Sequence, residues 1–355
     1  MRHRPQSAPM SGRHPNSVCR FKNVLLTVQS RYNDAVAGTE QPPRQKIRSP
    51  AMPDMNSESA DAVSRMYRVL NPSDARHTDE SACRLIAGVN PVFTAEEISR
   101  HYYPAMKLVA GRRAALEETR RRENDLYSSP ALKIPYVVSI SGSVSSGKTT
   151  VTRLLSHILK SIDPALRIVH VSTDCFIMPT AELTRRDLMS RKGFPESYDW
   201  QAQMNFLKEL RSGKREFSLP VYSHEVYDIV PGMRNEIRDP DIVLLEGLNL
   251  LQDHHDQDSL QPSDLTDFSI YLDMREADLE KFFIRRIISL AREGTGFYSS
   301  MKNMTDDELT ARAIRVWNTV NLPNLRQHIQ PTRCRSDMVI SLDSSHKVKS
   351  IMVRP

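Results

Sequence analysis

The sequence predicts an α/β protein: a doubly wound, mostly parallel sheet with helices on both faces. Three observations carry this. Short apolar runs with strand character alternate with helical patterns along most of the chain. One of those runs leads directly into the glycine-rich stretch GSVSSGKT at 142–149, and a helical pattern follows it. A later apolar run, 241–246, ends in an acid, Glu246.

The elements follow in order. Residues 1–75 are rich in Pro, Ser, Arg and Asn, and their one apolar patch is VLLTV at 24–28. This composition predicts a basic, disordered extension. An Arg-rich, acid-poor start also has the composition of a transit peptide, and Met52 or Met55 offers an alternative start. Order is expected from about Thr78. Thr94 and Glu97 make a capping box, with Phe93 and Ile98 as hydrophobic staple, so a helix is expected to run toward Arg122 with a bend at Pro104. Strands are expected at 134–141, 167–172, 241–246 and 268–273, and helices at about 148–160, 198–212, 276–293 and 305–320. The last helix has its own capping box, Thr305 with Glu308. Strands 337–343 and 346–353 are expected to pair through a turn at Ser344 and Ser345.

Bulk properties exclude several functions. The chain has 355 residues, a net charge of +6 and no apolar run of membrane-spanning length. The first 55 residues hold nine of the Lys and Arg and three of the Asp and Glu, which leaves 40 of each sign in the remainder. A neutral body gives no electrostatic case for nucleic acid. The cysteines at 19, 83, 175 and 334 form no C-x-x-C pair. Their spacing argues against zinc or a disulfide framework and for a reducing, cytoplasmic setting.

GSVSSGKT fits G-x-x-x-x-G-K-[ST], the Walker A phosphate loop of P-loop NTPases. Such a loop turns its amides inward on phosphate oxygens, and the following helix adds its positive end. Gly142, Ser143, Val144, Ser145, Ser146, Gly147, Lys148, Thr149 and Thr150 are therefore the expected ATP-binding residues. Lys148 supplies a cation for the β- and γ-phosphates, and Thr149 a hydroxyl for Mg²⁺. Glu246 is the expected second cation ligand. Asp174 ends the strand after the phosphate-loop helix. In a doubly wound sheet that end faces the ligand, so Asp174 is the candidate proton acceptor. An N-cap role for it is the alternative.

The stretches IPYVVSISGSVSSGKTT from 134, STDCF from 172, RKGFPESYD from 191, PVYSHEVYD from 220, DIVLLEGLNLLQ from 241, DFSIYLD from 267 and NLPNL from 321 strongly resemble bacterial type I pantothenate kinases of the phosphoribulokinase and uridine kinase group. The resemblance runs in order from about Asp79 to the C-terminus. It implies ATP-dependent phosphorylation of pantothenate with Mg²⁺, feedback inhibition by coenzyme A, and a homodimer. It places Tyr222, His224, Tyr227 and Asn321 with Asp174 in the substrate pocket. It makes Arg286 the group that stabilises the transferring phosphoryl, with Arg285 as the alternative, and sets Lys148, Arg153 and His224 against coenzyme A phosphates. Three departures accompany it: Cys175 in place of a glycine, Phe283 in place of a tyrosine, and a short 292–304 loop that keeps only Phe297 and Tyr298 of an aromatic block. A thiol beside the phosphate loop reads either as reactive or as buried and inert. A kinase of another small hydroxyl compound, or a non-catalytic nucleotide or coenzyme A sensor, are the competing functions.

Overall fold

The computed structural model describes residues 66–70, 79–90, 92–127, 132–253 and 260–355. The strands are β1 Arg68–Val69, β2 Tyr136–Gly142, β3 Ile168–Ser172, β4 Glu216–Ser223, β5 Asp228–Arg238, β6 Ile242–Gly247, β7 Phe268–Asp273, β8 Met338–Leu342 and β9 Val348–Val353. Seven of them make one sheet in the order β1-β9-β8-β7-β2-β6-β3. The run β8-β7-β2-β6-β3 is parallel throughout, and β9 and β1 continue it antiparallel. β2 lies between β6 and β7, with Ile140 level with both Glu246 and Ile270. The phosphate loop thus leaves the sheet beside the acid.

The main helices are α1 Glu80–Val89, α2, α3 Lys148–Ile162, α4 Thr180–Arg185, α5 Trp200–Arg211, α6 Glu276–Glu293 and α7 Asp306–Val316. α2 opens at Ala95–Glu97, widens into a π turn over Ile98–Tyr102 and continues as Tyr103–Asn124. That π turn is where the sequence predicts a bend. Pro104 has no N–H to give, and the chain adjusts just ahead of it.

Alternation along each central strand splits the apolar residues between two cores. Tyr136, Val138, Ile140, Ile242 and Leu244 face α1, α2 and α3, while Val137, Val243 and Leu245 face α5 and β4. Both sheet faces are covered, as the continuous apolar runs require.

Several boundaries differ from expectation. The folded part reaches back into the predicted 1–75 extension, because β1 pairs with β9 and Tyr67 Oη donates to Ser336 O at 2.6 Å. Residues 1–65 and 71–78 lie outside the described residues. α1 was not expected; Asp79 caps it, and only Cys83 and Ile86 bury a face, too few to register as a period. Thr94 caps the amide of Glu97 at 3.1 Å as expected, but the Glu97 carboxylate does not return to the cap. It accepts from Lys347 Nζ at 2.7 Å and Val348 N at 3.3 Å, tying α2 to β9. The Thr305–Glu308 box forms in both directions. The hairpin β4–β5 was also unexpected. Most of β5 is exposed, so no apolar pattern marks it.

Candidate active site

The phosphate loop has the backbone its glycines permit. Gly147 caps α3 at φ +84°. A side chain at Gly142 would sit 2.8 Å from Leu272 O, so β2 can pass this close to β7 only without one. Ser145 also takes a positive φ, 63°. The hydroxyls of Ser143 and Ser145 are buried and make no hydrogen bond. Lys148 Nζ donates to Ser143 O at 2.8 Å. Burial lowers the Lys148 ammonium to about 8, against the opposing pull of Glu246 and Asp174. Val144 faces the smaller cavity described below, and Thr150 lines the larger one.

Thr149 Oγ1 donates to Glu246 Oε1 at 2.8 Å, and Thr152 Oγ1 lies 3.3 Å from Oε2. Burial pushes the Glu246 carboxyl up, but His170, Thr149 and Lys148 together hold it below its ordinary value. A hydroxyl and an ionised carboxylate side by side fit a hard divalent cation. Among the described residues no three His, Cys, Asp or Glu side chains cluster as a metal cage. A cation here would therefore depend on nucleotide phosphates and water for its remaining ligands.

Asp174 lies in the 3₁₀ turn Thr173–Phe176 that follows β3. Its amide donates to Ser172 Oγ at 3.4 Å, so Ser172 and not Asp174 is the cap. Burial raises the Asp174 carboxyl above the usual carboxylate range, with His224 and Lys148 opposing. A raised carboxylate is a stronger proton acceptor. His224 Nε2 is 3.7 Å from Asp174 Oδ2.

Two cavities meet at this carboxylate. The larger, about 910 Å³, runs along the phosphate loop past Thr149, Glu246, Phe282 and His346. The smaller, about 170 Å³, is lined by Lys192, Tyr198, Tyr227, Phe283, Asn321 and other residues. Asp174, Tyr222, His224 and Arg286 line both. One cavity can hold a nucleotide and the other a small acceptor, with the proton acceptor and a guanidinium on the shared boundary. In the smaller cavity Asn321 Nδ2, Asn324 Oδ1 and Tyr198 Oη are buried without hydrogen-bond partners. Buried polar atoms of this kind need a ligand or water to complete them.

The structure thus brings together most of the residues expected from sequence. Arg286 faces both cavities, whereas Arg285 lines neither and lies 5.8 Å over the Phe282 ring. Arg153 is exposed on α3 and lines neither cavity. Cys175 is buried on the wall of the larger cavity, and burial pushes its thiol up to about 12, which favours the inert alternative over the reactive one. Phe283 packs 6.0 Å from Trp317. The short loop folds as the 3₁₀ turn Gly296–Met301. Phe297 stacks on Tyr227 at 4.6 Å, and its amide donates to Glu225 O at 2.7 Å, so the two retained aromatics close the acceptor side against the β4–β5 turn.

Sequence reasoning missed two groups. Lys192 is buried, donates to Tyr227 O at 2.5 Å and lies 4.2 Å over the Tyr227 ring. Burial lowers its ammonium to about 8. Its place inside RKGFPESYD was the available signal. His346 Nε2 lies 3.0 Å from Ser145 O with its ring 3.7 Å from that of Phe282. Nothing in the β8–β9 turn marks it as part of the site.

Comparisons with known proteins show the family. The pantothenate kinase of Corynebacterium glutamicum strain R is 39% identical over 311 residues, 86% of this chain and 95% of that one. This chain belongs to the pantothenate kinase family. The pantothenate kinase of Leifsonia xyli subsp. xyli strain CTCB07 is 38% identical over 273 residues, 76% of this chain and 85% of its own. That of Myxococcus xanthus strain DK1622 is 36% identical over 298 residues, 82% and 93% respectively. The phosphoribulokinase / uridine kinase family profile matches residues 137–293, which run from β2 through α6 and contain the phosphate loop, Asp174, Glu246 and Arg286. Among the described residues no helix is long and apolar enough to cross a membrane.

Proposed function

We propose that this pantothenate kinase family member transfers the γ-phosphoryl group of ATP to the primary hydroxyl of pantothenate, giving 4′-phosphopantothenate for coenzyme A biosynthesis. The observation that carries the reading is the meeting of a phosphate-loop cavity and a small polar cavity at Asp174, in a chain this similar to pantothenate kinases. The loop amides and Lys148 hold the β- and γ-phosphates. Thr149 and Glu246 hold Mg²⁺, which when bound neutralises phosphate charge. Asp174 accepts the proton of the attacking hydroxyl, and His224 beside it adds a polarisable partner. Arg286, on the boundary of the two cavities, meets the charge of the transferring group. Tyr222, Tyr227 and Asn321 orient the acceptor, and Lys192 brings positive charge to its wall, which favours anionic pantothenate over a neutral nucleoside.

Coenzyme A contains the pantothenate skeleton and several phosphates. We assign its inhibition to the same two cavities, with Lys148 and His224 on its phosphates and Arg153, exposed on α3 outside both cavities, available only to a phosphate that projects beyond them. A homodimer in the cytoplasm is the proposed working form; the free thiols of Cys83, Cys175 and Cys334 suit a reducing compartment.

A coupled ADP-release assay with pantothenate, a pantothenamide and a panel of nucleosides tests the reaction. Turnover with pantothenate above every nucleoside is the expected result. ADP release with a nucleoside alone, or with no acceptor, would refute it. Coenzyme A inhibition relieved by ATP, and weakened about 10- to 150-fold in Arg153→Ala, tests the regulatory part.

A further inference from the structure

The smaller cavity is lined by more positive charge than phosphoryl transfer uses. Its charged side chains are Asp174, Lys192, Arg286 and Arg312, with His224 beside them. Asp174, His224 and Arg286 also line the larger cavity, so they stand where the two ligands meet. Lys192 is engaged by the protein: its Nζ donates to Tyr227 O at 2.5 Å and lies over the Tyr227 ring, with Asp228 and Asp174 as its opposing charges. Arg312 lines the smaller cavity and not the larger, so it stands away from the phosphate loop. It is half-buried on α7. Arg312, Val316 and Val320 recur at helical spacing and all line the cavity. The π turn Trp317–Asn321, which prolongs α7, brings Asn321 to the same wall. One helix therefore presents a guanidinium, an apolar stretch and an amide in turn. Phe283 of α6, which also lines the cavity, contributes only an apolar ring.

Pantothenate carries one charge, a carboxylate at the end remote from the hydroxyl that is phosphorylated. Taking a carboxylate out of water is costly unless a charged partner meets it. A guanidinium offers two parallel N–H donors that match the two carboxylate oxygens. We propose that Arg312 holds the carboxylate of pantothenate and selects the free acid over neutral acceptors of the same shape. Arg286 stays with the transferring phosphoryl group, and Lys192 with the Tyr227 backbone. The proposal rests on the reading that the smaller cavity binds pantothenate.

ADP release by the full-length enzyme tests it, with pantothenate and with pantothenyl alcohol, in which a hydroxymethyl group replaces the carboxylate. The wild type should prefer pantothenate. Arg312→Ala should lower kcat/KM for pantothenate about 10- to 150-fold, mainly through KM, and change that for pantothenyl alcohol less than about threefold. Arg312→Lys keeps the charge without the fork and should fall between the two. Should Arg312→Ala fail to fold, Arg312→Gln keeps a long polar side chain without the charge and should show the same selective loss. Equal losses with both acceptors mark a structural role and refute the proposal. A wild type without preference for pantothenate, or a variant that keeps the wild-type preference, refutes it too. So does a preference that vanishes in Lys192→Met and survives in Arg312→Ala. Wild-type enzyme that releases no ADP with pantothenate overturns the underlying reading instead.

Discussion

Gly247 ends β6 immediately after Glu246, and a single methyl group there should disable the enzyme. A Cβ at this position would lie 2.0 Å from Thr173 Oγ1, 2.9 Å from Cγ2 and 3.0 Å from Cβ. Rotating Thr173 moves Oγ1 and Cγ2 but not Cβ, which stays at 3.0 Å, tighter than ordinary contact. Thr173 is buried, with 1% of its surface exposed, so it has no free space to enter. With Thr173 in its present rotamer, reaching ordinary contact at 3.4 Å requires a separation of about 1.4 Å, which shifts the 3₁₀ turn Thr173–Phe176. Asp174 is the next residue and moves with it. A misplacement of about 1 Å at a reacting group costs on the order of 10²-fold in rate, and the overpacking itself costs about 1–3 kcal/mol of stability. Gly247→Ala should therefore lower kcat about 10²-fold in the ADP-release assay while ADP binding, measured by calorimetry, stays near wild type. Thr173→Ala removes the two nearest atoms and leaves a 3.0 Å contact, so the double variant should recover most of the lost rate. A folded Gly247→Ala enzyme within a few-fold of wild-type kcat, or a double variant with no recovery, would refute the reasoning.

Four other outcomes are expected. Asp174→Asn should cut kcat by about 10²–10⁴ with ATP affinity retained, and a fall below about tenfold would make Asp174 a positioning group. Burial lowers the Lys148 ammonium to about 8, and it binds phosphate only when charged, so ATP affinity should hold below pH 8 and weaken by up to about tenfold per pH unit above it. Lys148→Arg should abolish that break in a pH series, since a guanidinium stays charged. Cys175, with its thiol pushed up to about 12, should resist thiol reagents in the folded enzyme, as mass spectrometry of labelled protein would show. Asn321→Ala removes a buried amide that lacks a partner, and should raise the KM for pantothenate about tenfold with the KM for ATP unchanged.

Much of this molecule can be read along the chain because the relevant physics is local. The phosphate loop is contiguous, so its glycines, Lys148 and Thr149 declare their backbone and chemistry in eight residues. The core strands are buried on both faces, so they stand out as apolar runs, and the capping hydroxyls of Thr94 and Thr305 act within one turn. Elements whose order depends on distant partners are silent in sequence. β5 is mostly exposed and β1 has two residues, so neither carries an apolar period. Glu97 reads as the second half of a capping box, yet its carboxylate joins Lys347, 250 residues away, because that ammonium offers the stronger partner. The same limit governs the site. Glu246 and Asp174 were legible as acids at strand ends, and family resemblance supplied the pocket tyrosines. Choosing Arg286 over Arg285 took the rotation of α6 against the cavities. Only the packing of β3 against β6 sets His170 beside Glu246, and only the burial around Cys175 pushes its thiol up. Proximity and dielectric environment belong to the folded arrangement, and neither is a property of a residue and its neighbours in sequence.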